Sequence, residues 1–378
     1  MHSPEKELIS ILKGAGVDLL ATLPCDRVRN LIALADASID RIPLTREEDG
    51  VGICAGAALG GRRPAMIVQS SGIGNMINAL LSLTGFYELP LALFVSQRGV
   101  YKEGIDAQVP MGKVLPGLFE SVGIGYTLID RSEAIPAIGK ELESLYREKR
   151  IHAFLLSPAL WEGSPLEISQ SLKRRHCEAI DPERGRENPA PVLTRYGVLS
   201  TLCPELEGQA VICNLGVPSK ELHALLPQPS NFYMLGSMGL ATPIGLGVAF
   251  STDKPVFVID GDGSLLMNPG TLATVAMARP GNLTIIAVDN ASYGSTGDQP
   301  TLTAGCVDLE LVARGFGICN SVKAASREEL REALQTPFGG ALFVHALALP
   351  GNAAVPNIPL GAREIKEGFQ AFLESGRL

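Results

Sequence analysis

Asp260 and Asp262 alternate with Gly261 and Gly263 where an apolar run ends, in "VFVIDGDGSLLMNPG". A second apolar run, "LTIIAVDN", also ends in a carboxylate and an amide, Asp289 and Asn290. Both runs have strand length and fall in one β-α-β unit. Their last residues therefore leave the carboxyl ends of parallel strands, where open α/β sheets bind ligands. Adjacent strands lie about 4.8 Å apart, so Asp262 and Asn290 can reach one ion. A carboxylate, an amide oxygen and a loop carbonyl form a hard, oxygen-only set suited to Mg²⁺, which completes its octahedron with water and phosphate oxygens. Gly261 and Gly263 let the backbone approach a diphosphate, and the amides of the following helix favour an anion. The competing reading is a plain turn, because Asp and Gly are good turn residues. The matching Asp289-Asn290 pair tips the balance toward a site.

Positioning these residues requires a sheet, and the chain alternates apolar strands with helices throughout. In the first half "VDLLATLP", "RIPLT", "PAMIVQSS", "LPLALFVSQ", "GYTLID" and "IHAFLLSP" read as strands. Segments such as "EKELISILKGAG" and "SEAIPAIGKELESLYREKR" have helical spacing. The second half repeats the alternation through "QAVICNLG", "NFYMLG", "KPVFVID", "LTIIAVDN", "SVKAA" and "ALFVHALALP". Between the halves, 161–195 is charged, Pro-containing and without apolar period, and reads as a linker. The expected architecture is α/β: two doubly wound parallel-sheet domains, 1–160 and 196–378, with no middle domain and no residue-level repeat between them.

Composition excludes several classes. Of 378 residues, 46% are apolar and 19% charged, a globular balance, and the formal charge of −8 argues against a nucleic-acid footprint. No run approaches the roughly 20 apolar residues of a membrane span, and no signal peptide is visible at the charged N-terminus. The seven scattered cysteines contain no Cys-x-x-Cys pair, which points to free thiols in the cytoplasm. The first strand is not followed by Gly-x-Gly-x-x-Gly, which disfavours a nucleotide-dependent dehydrogenase.

The "GDGS…DN" pattern resembles the thiamine diphosphate (TPP) motif. The resemblance implies that Asp262, the Asn290 side chain and the Ser292 carbonyl hold Mg²⁺, with Gly261, Gly263, Ser264 and Tyr293 against the cofactor. Asp289 stands where the family usually has Asn. Upstream, "LGSMG" is similar to the segment that supports the bent cofactor, which implies roles for Gly236, Ser237 and Met238. Met238 would wedge between the two rings, although a lone Met is more often a core residue.

TPP chemistry also needs a carboxyl group at the pyrimidine nitrogen, to promote deprotonation of the thiazolium carbon. "REEDGVGICAGAALGG" resembles the glutamate segment of pyrimidine-binding domains; setting Ala55-Gly56 on that segment's Ala-Gly pair implies Glu47 at that position, with Glu48 the alternative one residue on. Glu-Glu-Asp would equally suit an exposed helix start. "QSSGIGNMINALLSL" and "RGVYKEGIDAQVPMGK" resemble phosphonopyruvate and sulfopyruvate decarboxylases. Asn75, Arg98, Lys102 and Gln108 are the candidates there for an anionic substrate, with Lys113 beyond them on the same polar loop. Across the chain, the halves look like the α and β subunits of the sulfopyruvate decarboxylase family, fused. The resemblance implies Mg²⁺- and TPP-dependent decarboxylation of sulfopyruvate to sulfoacetaldehyde, on the route to coenzyme M. It also implies a homodimer or larger assembly with the cofactor at the interface. The alternatives are phosphonopyruvate as substrate and an inert TPP-binding protein. The five histidines are isolated, and His152 and His345 read as structural.

Overall fold

The structure is a computed structural model and describes residues 3–166, 168, 189–335 and 339–375. The chain divides into two compact units, Met1–Arg174 and Arg175–Leu378. Each is built on one six-stranded parallel sheet.

The first sheet contains β1 (Leu19–Thr22), β2 (Asp40–Pro43), β3 (Pro64–Gln69), β4 (Leu91–Ser96), β5 (Gly125–Ile129) and β6 (Ile151–Leu156). The second contains β7 (Ala210–Cys213), β8 (Asn231–Tyr233), β9 (Val256–Gly261) and β10 (Leu283–Asp289). A two-residue antiparallel ladder follows, β11 (Ser292–Tyr293) with β12 (Gln299–Pro300), and then β13 (Ser321–Ala324) and β14 (Leu342–Leu347) complete the second sheet. The spatial orders are β2-β1-β3-β4-β6-β5 and β13-β14-β10-β9-β7-β8. With strands numbered within each sheet, both orders read 2-1-3-4-6-5. The two units thus share one topology without sharing a sequence repeat, because what recurs is the succession of buried strands. In each sheet the direction of winding reverses at the first and third strands, β1/β3 and β7/β9, and a crevice opens beyond their carboxyl ends.

The strands read as continuous apolar runs because both faces are covered. All six residues of β4 and of β6 are buried. Phe94 and Phe154, paired across these two strands, stack with ring centroids 4.8 Å apart. Helix Ala137–Glu148 turns Ile138, Leu142 and Leu145 inward at helical spacing. Helix Glu47–Leu59 buries every residue except Glu48, as its small side chains permit.

One sequence reading changes. The polar loop after β4 is shorter than expected, because a helix spans Val109–Ser121. Pro110 and Pro116 hid it: the first sits in the opening turn, where its missing N–H costs nothing, and the second lies inside the helix. In the turn Asp26–Val28 beyond β1, Asp26 Oδ1 accepts from Arg98 Nη1 at 2.6 Å. Helix Arg195–Leu206 opens the second alternation, and of 161–195, residues 167 and 169–188 lie outside the described residues. No helix among the described residues is long and apolar enough to cross a membrane.

Candidate active site

In the second unit the winding reversal brings together the ends of β7, β9 and β10. A cavity of about 130 Å³ lies there, lined among others by Asn214, Met238, Asp262, Asn290, Ser292 and Tyr293. Gly261, Gly263 and Ser264 also line it. Gly236 and Ser237 are in the preceding turn, where Ser237 takes a left-handed φ of 58°. The next residues dock on the β9 turn, with Gly239 N–H donating to Ser264 Oγ at 3.1 Å.

The two aspartates of the motif do different things. Asp260 is fully buried beneath the turn and accepts from Thr242 Oγ1 at 2.9 Å and from the Gly261 N–H at 3.0 Å. Burial raises its pKa against those hydrogen bonds. Asp262 faces the cavity. Burial, reinforced by the nearby Asp289 charge, pushes its carboxyl up to about 6, although Thr301 and Thr303 hydroxyls oppose the rise. A cation beside it would reverse that balance and hold it ionised.

Asp289 belongs to a separate pair. His345 Nε2 lies 2.8 Å from Asp289 Oδ2. Burial alone would raise the Asp289 pKa, but the His345 and Thr303 hydrogen bonds outweigh it and hold Asp289 below the ordinary carboxylate value. Burial would likewise lower His345, yet Asp289 and Asp308 hold it above its ordinary value. The Asp found where relatives of the motif have Asn is thus matched by a buried imidazole.

The residues fit a hydrated divalent cation and a diphosphate. Asn290 is buried, and its Nδ2 donor has no hydrogen-bond partner among the described residues, so an acceptor such as a diphosphate or water oxygen would complete it and leave the amide oxygen for a cation. Both threonine hydroxyls bond Oδ2 of Asp262, so Oδ1 keeps acceptor capacity. Among the described residues no three His, Cys, Asp or Glu side chains cluster as a metal site, so the donors here are one carboxylate, one amide and backbone carbonyls. A Cβ at Gly263 would stand 2.2 Å from Tyr293 Cε1, so glycine is required for this ring to pack on the turn. The helix after the motif, Asp262–Leu265, is only one turn long, so any anion preference rests on local amides rather than on a helix dipole.

Sequence reasoning passed over the support for this site. Arg195 and Glu221 form a buried two-point ion pair, at 2.8 and 3.1 Å. Arg195 Nη2 also donates to Asn352 Oδ1 at 2.8 Å, and Asn352 Nδ2 donates to the Gly294 carbonyl at 2.8 Å, which ties down the loop after β11. Asn214, at the end of β7, follows from strand order once that order is known.

In the first unit Glu47 and Asn75 come together above β3: Asn75 Nδ2 donates to Glu47 Oε2 at 3.0 Å. Glu47 is 7% exposed and packs on Gly72, where a Cβ would fall 2.1 Å from Oε1. Glu48, one residue on, instead faces Arg46 Nε at 3.5 Å. Two substrate candidates are committed elsewhere. Arg98 is buried and bonds Glu103 twice, at 2.7 and 2.6 Å, as well as Asp26, so it staples its own loop rather than facing a ligand. The Glu103 pKa is pulled down to about 2, chiefly by the Arg98 hydrogen bond. Lys102 is exposed and paired with Glu162. Gln108 Oε1 accepts from Gln69 Nε2 at 3.0 Å, at the end of β3. Lys113 is exposed on the first turns of helix Val109–Ser121.

Residues 217–346 match the C-terminal TPP-binding domain of thiamine pyrophosphate enzymes. A sulfopyruvate decarboxylase of Methanosarcina acetivorans is 44% identical over 98% of both chains. A phosphonopyruvate decarboxylase of Streptomyces viridochromogenes is 34% identical over 97% of this chain and 94% of its own. The separate alpha and beta subunits of a Methanococcus maripaludis sulfopyruvate decarboxylase match 33% and 47% of the chain, at 45% and 44% identity. They cover 76% and 96% of their own lengths. In fold, the benzoylformate decarboxylase of Polynucleobacter necessarius superposes with a TM-score of 0.70, at 14% identity, over 93% of this chain and 100% of its own.

Proposed function

The chain belongs to the sulfopyruvate decarboxylase family of thiamine diphosphate enzymes, and from that premise we propose that it releases carbon dioxide from sulfopyruvate to form sulfoacetaldehyde, within coenzyme M synthesis in the cytoplasm. The observation carrying the choice of substrate is the higher full-length identity to the sulfonate enzyme than to the phosphonate one, 44% against 34%.

The roles of the residues follow from their surroundings. Asp262, Asn290 and the Ser292 carbonyl are the proposed Mg²⁺ ligands. Gly261, Gly263 and Ser264 offer a close backbone approach to the diphosphate, and Gly236, Ser237, Met238 and Tyr293 the wall against the rings. When bound, TPP supplies the electron sink that lets a 2-oxo acid lose its carboxylate. Glu47 holds or releases a proton at the pyrimidine nitrogen, with Asn75 fixing its carboxyl. Among the candidates for the sulfonate, Gln108 is favoured, with the exposed Lys113 added beside it; Arg98 ranks lower because Glu103 and Asp26 engage it, and Lys102 because Glu162 pairs it. Sulfonate recognition asks for amide and cationic donors, which Gln108 and Lys113 supply.

We further propose that the assembly is a homodimer or larger, with the pyrimidine side of the cofactor on the first unit of one protomer and the diphosphate side on the second unit of another. Mixing Glu47→Gln protein with Asp262→Ala protein then restores activity that neither shows alone; continued inactivity in exchanged oligomers counts against the arrangement. For the substrate, carbon dioxide release from sulfopyruvate, phosphonopyruvate and pyruvate is measured in parallel with Mg²⁺ and TPP. Turnover chiefly of sulfopyruvate is expected, and turnover chiefly of phosphonopyruvate overturns the assignment.

A further inference from the structure

Asp262 is gripped from one side by two hydroxyls that come from a single short segment. Thr301 Oγ1 lies 2.5 Å and Thr303 Oγ1 3.0 Å from the same oxygen, Oδ2. The hydroxyls lie 2.8 Å from each other, and Thr303 Oγ1 is also 2.7 Å from Asp289 Oδ1. The tight turn Leu302–Ala304 just after β12 sets the two threonines side by side. At the far end, Asp289 is itself fixed by His345 Nε2 and by the Ala291 N–H at 3.0 Å. The chain of contacts therefore runs from the wall of the second sheet to the cavity.

Proton counting shows what this arrangement lacks. Each threonine hydroxyl has one hydrogen to give. The four oxygen contacts just described share those two hydrogens, so with both carboxylates ionised some lone pairs face each other in a buried site. A cation on the cavity side of Asp262 draws that negative potential away. The hydroxyls meanwhile hold the carboxylate by Oδ2 and restrict its rotation.

We propose that Thr301 and Thr303 are positioning residues for the divalent cation: they fix the Asp262 carboxylate from behind and so set the affinity of the site for Mg²⁺. The inference rests on reading Asp262 as a metal ligand. Groups that orient a ligand in this way typically change metal affinity about 10- to 100-fold when removed.

The test is Mg²⁺ binding by titration calorimetry on the full chain with saturating TPP and no substrate, using parent, Thr303→Val, Thr301→Val, Thr303→Ser and Asp262→Asn. The valine variants are expected to bind Mg²⁺ about 10- to 100-fold more weakly, with metal-free melting temperatures close to parent. Thr303→Ser, which keeps the hydroxyl, is expected to bind within about threefold of parent. Should Thr301→Val fail to fold because its site is buried, the half-buried Thr303 carries the test with its serine control. Parent-like affinity in the valine variants, with binding lost in Asp262→Asn, refutes the positioning role and leaves the ligand assignment standing. Parent-like binding in Asp262→Asn removes the ligand assignment, and the inference with it.

Discussion

Gly72→Ala puts one methyl group where the Glu47 side chain now lies. The added Cβ would sit 2.1 Å from Oε1, 2.4 Å from Cδ and 2.5 Å from Cγ. An ordinary carbon–oxygen contact is about 3.3 Å, so the carboxyl must retreat by about 1.2 Å. Turning the terminal carboxyl does not relieve the clash, because Cγ is hit as well. The whole side chain must leave its rotamer and its hydrogen bond to Asn75. Gly72 does not use a left-handed backbone, so alanine itself is conformationally acceptable there. Overpacking of this kind costs about 1–3 kcal/mol, or a few degrees in melting temperature for a domain of this size. A displacement of about 1 Å in a catalytic group costs about 100-fold in rate. The expected result is therefore a fall in kcat of about 100-fold with TPP binding retained and only a modest loss of stability. Gly74→Ala is the control, since its Cβ would meet only Met111 Cε, at an ordinary 3.4 Å. The assay is steady-state carbon dioxide release, with melting curves and cofactor titration on the same preparations. A kcat for Gly72→Ala within about threefold of Gly74→Ala would refute the reasoning that Glu47 acts from this position.

Gly263→Ala drives a methyl into the Tyr293 ring, and is expected to weaken TPP binding about tenfold or more, read by cofactor titration; unchanged binding would show that the ring is free to move aside. Met238→Ala removes a half-buried side chain from the cavity wall and is expected to cost about 1 kcal/mol of stability, below the range for fully buried large-to-small changes, while raising the cofactor Kd; a parent-like Kd would return Met238 to a packing role. The Glu103 carboxyl, held at about 2 mainly by Arg98, stabilises the fold fully above its ordinary value of 4.5, and that contribution disappears as pH falls from there toward 2. Glu103→Gln should thus be less stable than parent at neutral pH and lose less on acidification, and parallel acid melting curves would contradict the pairing.

The fold was legible because its strands announce themselves. Runs such as "LPLALFVSQ" and "IHAFLLSP" are buried on both faces, so their register is signalled without alternation. What stayed hidden was governed by tertiary context. Helix Val109–Ser121 contains two prolines, which local rules treat as breakers. Arg98 carries the charge expected of an anion receptor, but only the fold shows that Glu103 and Asp26 consume it. Thr301 and Thr303 look like ordinary loop residues, and nothing in "QPTLTAG" says that both hydroxyls converge on Asp262. His345 read as structural because it sits in a strand; its partner Asp289 lies on the neighbouring strand, where β14 pairs with β10. The shared 2-1-3-4-6-5 order of the two sheets is likewise invisible to residue identity and plain in the pairing.

If Glu47 is the proton-handling group of a TPP-dependent decarboxylase, Glu48, one residue on, is its internal comparison. Carbon dioxide release from sulfopyruvate is measured for parent, Glu47→Gln and Glu48→Gln at saturating Mg²⁺ and TPP. The account predicts a loss of about 100-fold or more for Glu47→Gln, with cofactor still bound, and near-parent turnover for Glu48→Gln. Near-parent turnover by Glu47→Gln would contradict it.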